Sequence, residues 1–388
     1  MELILKQYDI PLLRFSATND SSTPEIEVHW INEDQRHLLP LDMELSPEGI
    51  SRWMRRRTIP RNRAYVNRLL AKCGLNANRP MGILALCKGL SVDDSYWVVE
   101  EDFESTFEKY NLFENRFSEV LALIAFTGYG SSNRSSLASS PEFTTNGMLP
   151  KCWRRISGKV TLCKGGTDGG YNTGAEPYCE YYVAQVAAAM GIDAIPYGLS
   201  QWKGRLCSTC ELFTDIDHAY MPIGNLVQRG GFDAVAAYYE NLGEPFQKAF
   251  RDMLVFDAVI CNTDRHYGNF GFMIDNKTNT IAAPAPLFDH GNSLFNQAGP
   301  EDYESPEAFQ QYIDTLVPCV YDDFFATAKR FMTDENREQL RKLLGFRFKR
   351  HVRYNLPPKK LKLMEEQVRK RAMRLLEREL ENANISHI

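Results

Sequence analysis

Asp264 and Asn269 stand five residues apart in NTDRHYGNFGF, a polar segment that follows the apolar run DMLVFDAVIC. Gly268 argues against a helix interior there, so the interval reads as a tight loop leaving a buried helix. Such a loop can turn a carboxylate and an amide toward one point. Phosphoryl transfer uses that pair: the carboxylate orients an attacking hydroxyl and accepts its proton, and the amide oxygen ligates Mg²⁺. A D-x4-N spacing recurs by chance, and its bland reading is a carboxylate capping its own loop, so further groups must join it. Asp289 in PLFDHGNS is a second oxygen ligand of the hard type that Mg²⁺ takes. Lys164 ends the strand-like KVTLCK before Gly165 and Gly166, where an ammonium can meet nucleotide phosphates. Glu180 follows sixteen residues later in a helix; a lysine-to-helix-glutamate pair is a recurrent kinase device, though a glutamate there also suits the helix N-terminal end. Gly147 and Lys151 in TTNGMLPKCW are placed to face phosphates, and the backbone from Glu211 to Phe213 to face an adenine edge, with Phe213 packing near the ring.

The elements that must position these groups are legible as patterns. KCWRRISGKVTLCKGG reads as two strands around a Ser157–Gly158 turn, and IPYGLSQWKGRLCSTCELFT as a second hairpin around Lys203–Gly204. EPYCEYYVAQVAAAMG reads as a helix with Pro177 in its first turn and Gly191 closing it. PFQKAFRDMLVFDAVICN is an apolar-striped helix running straight into the Asp264 loop. LILKQYDIPLLRFSA and EIEVHWI suggest strands, and SPEGISRWMRRRT a helix capped by Ser46. From about Ser305 the chain is helical and polar. Strands first and helices later give an α+β, two-lobed fold.

Other features invite chemistry and fall to plainer readings. GGTDGGYNTG lacks the G-x-G-x-x-G spacing and reads as a hinge loop. Cys207 and Cys210 in CSTC have no second pair at zinc spacing, and strand alternation puts their thiols on opposite faces. His266 and His290 read as structural braces. Two basic stretches, Arg52 to Arg68 and Arg347 to Arg374, read as solvated helical faces.

The motifs NGMLPK, LCKGG, ELF, NTDRHYGN and PLFDHGNS stand in the order used by the HipA-like serine/threonine kinases, which this chain resembles over about residues 144–300. The resemblance implies a protein-kinase-related fold, ATP and Mg²⁺ as cofactors, and a protein substrate. It makes Asp264 the catalytic base, Asn269 and Asp289 the metal ligands, and Lys164 an ATP contact. It places Glu211 and Phe213 at the adenine. It also implies a self-phosphorylated residue before the first hairpin, with Ser139, Ser140, Thr144 and Thr145 as candidates, and an antitoxin or other regulatory protein as a possible partner.

Composition bounds the rest. The chain has 388 residues, 44% hydrophobic and 24% charged, with a net charge of −5. That excludes a disordered chain, and it argues against a nucleic-acid-coating protein, so nucleic acid is expected only as a weak or indirect partner. No run reaches the ~18 apolar residues of a membrane span. The N-terminal MELILKQYD does not read as a signal peptide. Nine cysteines without framework spacing fit reduced thiols. A cytoplasmic protein without a membrane partner is expected. The organisation expected is a mixed α/β module at 1–130, a serine-rich linker at 131–143, a nucleotide-binding region at 144–220 and a helical lobe at 221–388. A lipid or small-molecule kinase of the same fold is one rival; a catalytically silent nucleotide-binding module that contacts nucleic acid is another.

Overall fold

The computed structural model describes residues 1–18, 24–130, 140–170 and 172–377. Residues 131–139 of the serine-rich stretch, Ser139 among them, and Tyr171 of the glycine-rich loop lie outside the described residues. The fold is α+β. The chain divides into two compact units, one of Met1–Gly165, Glu211–Met221 and Phe272–Ala282, the other of Gly166–Cys210, Pro222–Gly271 and Ala283–Ile388.

The first unit is built on an antiparallel sheet of β1 (Glu2–Gln7), β2 (Ile10–Ala17), β3 (Ile26–Ile31) and β4 (Tyr96–Glu100), in the order β3-β2-β1-β4. Period-two alternation divides its side chains between two cores. Leu3 and Leu5 pair with Phe15 and Leu13 and pack against Trp53, Met54, Met81 and Leu84. Ile4 and its partner Val99 face the opposite way, with Trp97, Phe107 and Trp153. Among the described residues the α-helices of this part are α1 (Pro47–Arg56), α2 (Val66–Lys72), α3 (Pro80–Cys87), α4 (Phe107–Tyr110) and α5 (Glu119–Thr127). Ser46 caps α1 by accepting from Gly49 N at 3.1 Å. Gly128 ends α5 at φ 75°, and a Cβ there would lie 2.7 Å from the Tyr65 ring. Next comes the hairpin of β5 (Lys151–Ile156) and β6 (Lys159–Lys164), where Ser157 and Gly158 both take positive φ. That is the turn whose twist suits a two-residue hairpin. A small sheet of Thr280–Pro284, Gly271–Asp275 and His218–Pro222, in that order, is less regular in the sequence.

The second unit holds α6 (Ala175–Met190), the hairpin of β7 (Gly198–Trp202) and β8 (Arg205–Glu211), then α7 (Ile223–Leu226), α8 (Gly231–Asn241), α9 (Glu244–Ile260), α10 (Pro306–Asp314), α11 (Phe324–Phe331), α12 (Asp334–Arg341) and α13 (Pro358–Leu376). Helix α9 is the centre: α6, α11, α12 and α13 all pack on it, and Met253 to Ile260 are buried throughout. A helix apolar on every side belongs inside a core. Asp257 is the charged residue of that buried run. Among the described residues no helix is long and apolar enough to cross a membrane.

Candidate active site

In the second unit, α9 ends where Cys261 takes a left-handed φ of 54°, and the chain turns sharply into the loop from Asn262 to Asn269. Arg265 is folded back beneath this loop and is fully buried. Its guanidinium uses every donor it has. Nε and Nη2 fork onto Asp257 at 2.9 and 3.0 Å. Nη1 donates to the carbonyls of Asn269 at 3.1 Å and Phe288 at 2.7 Å. Nη2 also donates to His290 Nδ1 at 3.0 Å, which sets neutral His290 in the Nε2–H tautomer. Burial pushes the Asp257 carboxyl above its ordinary range, and the Arg265 charge pulls against it. One side chain therefore ties the core helix, the Asp264 loop and the segment around Asp289 together.

The three sequence-nominated residues hang on that frame. Asn292 Nδ2 donates to Asp264 Oδ2 at 2.8 Å, and Asn262 Oδ1 accepts from Asp264 N at 3.1 Å, so the residue is held at its carboxylate and at its backbone. Asn269 Nδ2 donates to the Asp264 carbonyl at 3.1 Å, which turns its amide oxygen the other way. Asp289 sits at φ 55°, a conformation costly for most side chains but tolerated by aspartate. Its N–H donates to the Tyr197 hydroxyl at 3.1 Å. Burial pushes the Tyr197 phenol well above its ordinary value, with the nearby Cys210, Glu180 and Asp289 adding to the rise. The chain after Asp289 runs close against α6: a Cβ on Gly291 would lie 3.2 Å from Glu176 Cβ and 3.8 Å from Glu180 Oε1. Glu180 is fully buried and accepts from the Ser208 hydroxyl. His266 Nδ1 accepts from Gly268 N at 3.0 Å, closing the loop on itself.

In the first unit, Lys151 and Lys164 are direct cross-strand partners and both are buried. Opposite residues of an antiparallel pair share a face, and like charges so placed are unfavourable unless an acidic group or a ligand offsets them. Lys151 Nζ donates to the Asn146 carbonyl at 2.8 Å. A Cβ on Gly147 would lie 2.1 Å from that ammonium, so glycine is needed there for space as well as for its φ of 92°. The loop before β5 is clamped by a second buried ion pair, Arg63–Glu142. Glu142 also accepts from Trp153 N at 2.8 Å, and Arg63 donates to the Lys151 carbonyl at 3.0 Å. Burial pushes the Glu142 carboxyl up, with Arg63 opposing. Thr144 donates its hydroxyl to Leu90 O at 2.9 Å and is buried; Thr145 donates to Pro141 O at 2.7 Å and accepts from Trp153 Nε1 at 2.9 Å. The buried Ser140 accepts from Glu142 N at 3.4 Å. Leu212 N donates to Val160 O at 2.9 Å, Glu211 pairs with Lys159 at 2.8 Å on the surface, and Phe213 packs edge-on to Tyr220 at 5.5 Å.

No family model matches the sequence. A curated serine/threonine-protein kinase, CtkA of Helicobacter pylori, is 26% identical over 135 residues. That match takes in 31% of this chain and 41% of the relative, so the chain spans well under half of that protein's length. The crystal structure of a H. pylori proinflammatory kinase CtkA covers 60% of this chain and 90% of its own, at a TM-score of 0.49 and 15% identity. A chain of the Shewanella oneidensis MR-1 toxin–antitoxin complex of HipA, HipB and operator DNA covers 96% of this chain and 97% of its own, at a TM-score of 0.50 and 14% identity. The chain has the fold of that HipA chain and a distant sequence similarity to a serine/threonine-protein kinase. Its sequence carried more of the site than motif reading drew out. Around the Asp264 loop Asp257, Arg265, Tyr197 and Asn292 do the holding, and none of them carries a motif signal. For Asp257 a signal existed: a lone carboxylate within MLVFDAVIC must find a cation or stay protonated.

Proposed function

We propose that this protein is an ATP- and Mg²⁺-dependent kinase that transfers the γ-phosphoryl group to a serine or threonine hydroxyl of a protein. The observation that supports it most is the Arg265 staple, which fastens the Asp264–Asn269 loop and the Asp289 segment to one buried carboxylate. Asp264, steadied by Asn292, orients the acceptor hydroxyl and takes its proton. The oxygen donors of Asn269 and Asp289 suit Mg²⁺, a hard cation satisfied by few protein ligands, and these two residues would hold it. When bound, the ion neutralises charge on the transferring phosphate. Lys164, Lys151 and the Gly147 loop receive the phosphates, as lysine ammonium groups and a glycine backbone can. Glu180, buried in the second unit, is the acid we assign to nucleotide positioning. With Leu212 N already engaged, the adenine is left the backbone of Glu211 and Phe213. The related HipA is crystallised with HipB and operator DNA, so a DNA-binding antitoxin-like protein is the regulatory partner we propose.

Incubation with γ-labelled ATP and Mg²⁺ should label the protein or a protein in a lysate. Asp264→Asn should lower labelling by about 10²–10⁴-fold, the range of a lost general base, while nucleotide affinity stays within a few-fold. Equal labelling by that variant would overturn the role of Asp264. Labelling of lipid or small-molecule fractions alone would overturn the protein substrate.

A further inference from the structure

Between Leu343 and Leu363 the chain carries seven cations and no Asp or Glu, within a protein of net charge −5. The segment joins α12 to α13, and its backbone is fixed rather than loose. Phe346 and Phe348 point inward, with Arg347 and Lys349 outward between and after them, a strand-like alternation. Lys349 exchanges two hydrogen bonds with the Gln185 amide on α6, at 2.8 and 3.2 Å. Asn355 accepts from His351 N and from the Tyr182 hydroxyl, each at 2.9 Å. His351 stacks on Tyr354 at 5.3 Å and meets Tyr181 edge-on. Phe348 N donates to the buried Glu365 at 3.0 Å.

Two cations take part in this packing, Arg350 beside the Tyr182 hydroxyl and Lys360 over the Tyr303 ring at 4.7 Å; the other ties use the backbone and uncharged side chains. Arg347, Lys349, Arg350, Arg353, Lys359 and Lys362 are exposed, and none of them forms an ion pair among the described residues. The first turn of α13 adds to the imbalance: it contains no acid, and Lys359, Lys360 and Lys362 crowd the end where the helix dipole is already positive. A chain selected for stability alone would put acids there. A local rule broken on a rigid frame marks a surface kept for a ligand.

We propose that this strip is a docking surface for the sugar–phosphate backbone of a nucleic acid, contacted independently of sequence. The geometry favours that polymer over other anions. Guanidinium forks match phosphate oxygens in pairs, and a fixed extended row of charges suits a regularly charged strand without a pocket for any one residue. A membrane surface fits poorly, because an interfacial element needs an apolar face. The strip's outward apolar groups are Leu344 and Val352, the latter 91% exposed. The inference stands apart from the kinase reading, and Asp264→Asn should bind nucleic acid as wild type does.

The test is fluorescence polarisation of the full chain with a labelled 20-base-pair DNA duplex of arbitrary sequence, and with an RNA hairpin of equal charge, from about 50 to 300 mM salt. Saturable binding is expected, with log affinity falling linearly against log salt at a slope of about −3 to −5, the value for roughly four or five phosphates. The tighter of the two probes names the source. Arg347→Gln, Lys349→Gln, Arg353→Gln and Lys359→Gln together should cost at least tenfold and flatten the slope, with thermal stability unchanged. A control with Arg52→Gln and Arg55→Gln should bind normally. Absence of binding at the lowest salt, wild-type affinity in the fourfold variant, or displacement by polyglutamate as effective as by DNA would each overturn the proposal.

Discussion

From Arg52 to Arg68 the chain carries seven arginines, and from Arg347 to Lys362 it carries seven cations. The two runs look alike along the sequence. In the first unit, Arg52 meets Glu44, Arg56 meets Asp42, Arg57 meets Asp94, and Arg63 meets Glu142. Arg68 donates to Gly128 O at 2.8 Å and lies over the Tyr129 ring. Most of that run is spent on holding the unit's own loops and helices. In the second run no cationic head meets a carboxylate among the described residues: Lys360 lies over the Tyr303 ring, Arg350 meets the Tyr182 hydroxyl, and the backbone does most of the holding. Basic density therefore says little by itself; what matters is whether carboxylates elsewhere in the fold have already claimed the charge.

The sharpest way to break this comparison is Arg63→Met. The variant would strand a fully buried Glu142 carboxylate beside Trp153 N and cost about 3–5 kcal/mol in chemical denaturation. Adding Glu142→Leu should recover much of that loss, because an apolar pair of similar volume removes the stranded charge. A single variant as stable as wild type would show that the first run is solvated after all. Arg57→Lys comes next. Arg57 forks onto Asp94 with both contacts at 2.7 Å, donates to the carbonyls of Gly89 and Tyr96, and lies 4.6 Å from the Trp53 ring. Lysine keeps the charge and loses the fork, so a cost of about 1–3 kcal/mol is expected. No change would mean that charge alone serves there.

The same contrast explains what could be read in advance. Local signals worked: Ser157–Gly158 and Lys203–Gly204 form the hairpin turns, Ser46 caps its helix, and the long apolar helix runs into the Asp264 loop as its pattern implies. Asp264, Asn269 and Asp289 could be nominated because chemistry restricts the residue types suited to the work we propose for them. The holding residues were harder, since their partners come from distant stretches. Arg63 and Glu142 are 79 positions apart, and no periodicity links them. Arg265 lies inside NTDRHYGN with nothing in the sequence to set it apart from any charged loop residue; its partner Asp257 comes from the helix beneath. The small sheet of His218–Pro222 with Gly271–Asp275 was missed for the same reason: its pairing is long-range, and its strands are five residues each.

Asp93 sharpens the comparison from the acidic side. Arg57 is taken by Asp94, and the neighbouring Asp93 is left with the Ser91 hydroxyl at 2.9 Å. Burial raises its carboxyl to about 6, with Asp94 adding to the rise while Ser91 and Arg57 oppose it. A folded value above the ordinary 3.8 means that the native state holds the proton more tightly than the unfolded chain. The stabilisation is complete below about pH 4 and is lost as pH rises through about 6. Asp93→Asn should therefore gain stability relative to wild type between pH 4 and 7, read from melting temperatures across that range. A difference that does not vary with pH would place Asp93 among the satisfied carboxylates.

The smallest effect is expected in the second run, and it is the one on which the comparison turns. Arg347→Gln, Lys349→Gln and Arg353→Gln remove three positive charges from a segment whose ties run through Gln185, Asn355 and Glu365 to backbone atoms. Surface substitutions away from buried contacts shift stability within about 0.5 kcal/mol. Relief of like-charge repulsion beside the α13 dipole pushes that small change toward stabilisation, and more so at low salt. A melt showing the triple variant destabilised by as much as Arg57→Lys would mean that these cations, too, are committed to the fold. Unchanged or raised stability, growing as salt is lowered, is what a strip held in reserve for an anion requires.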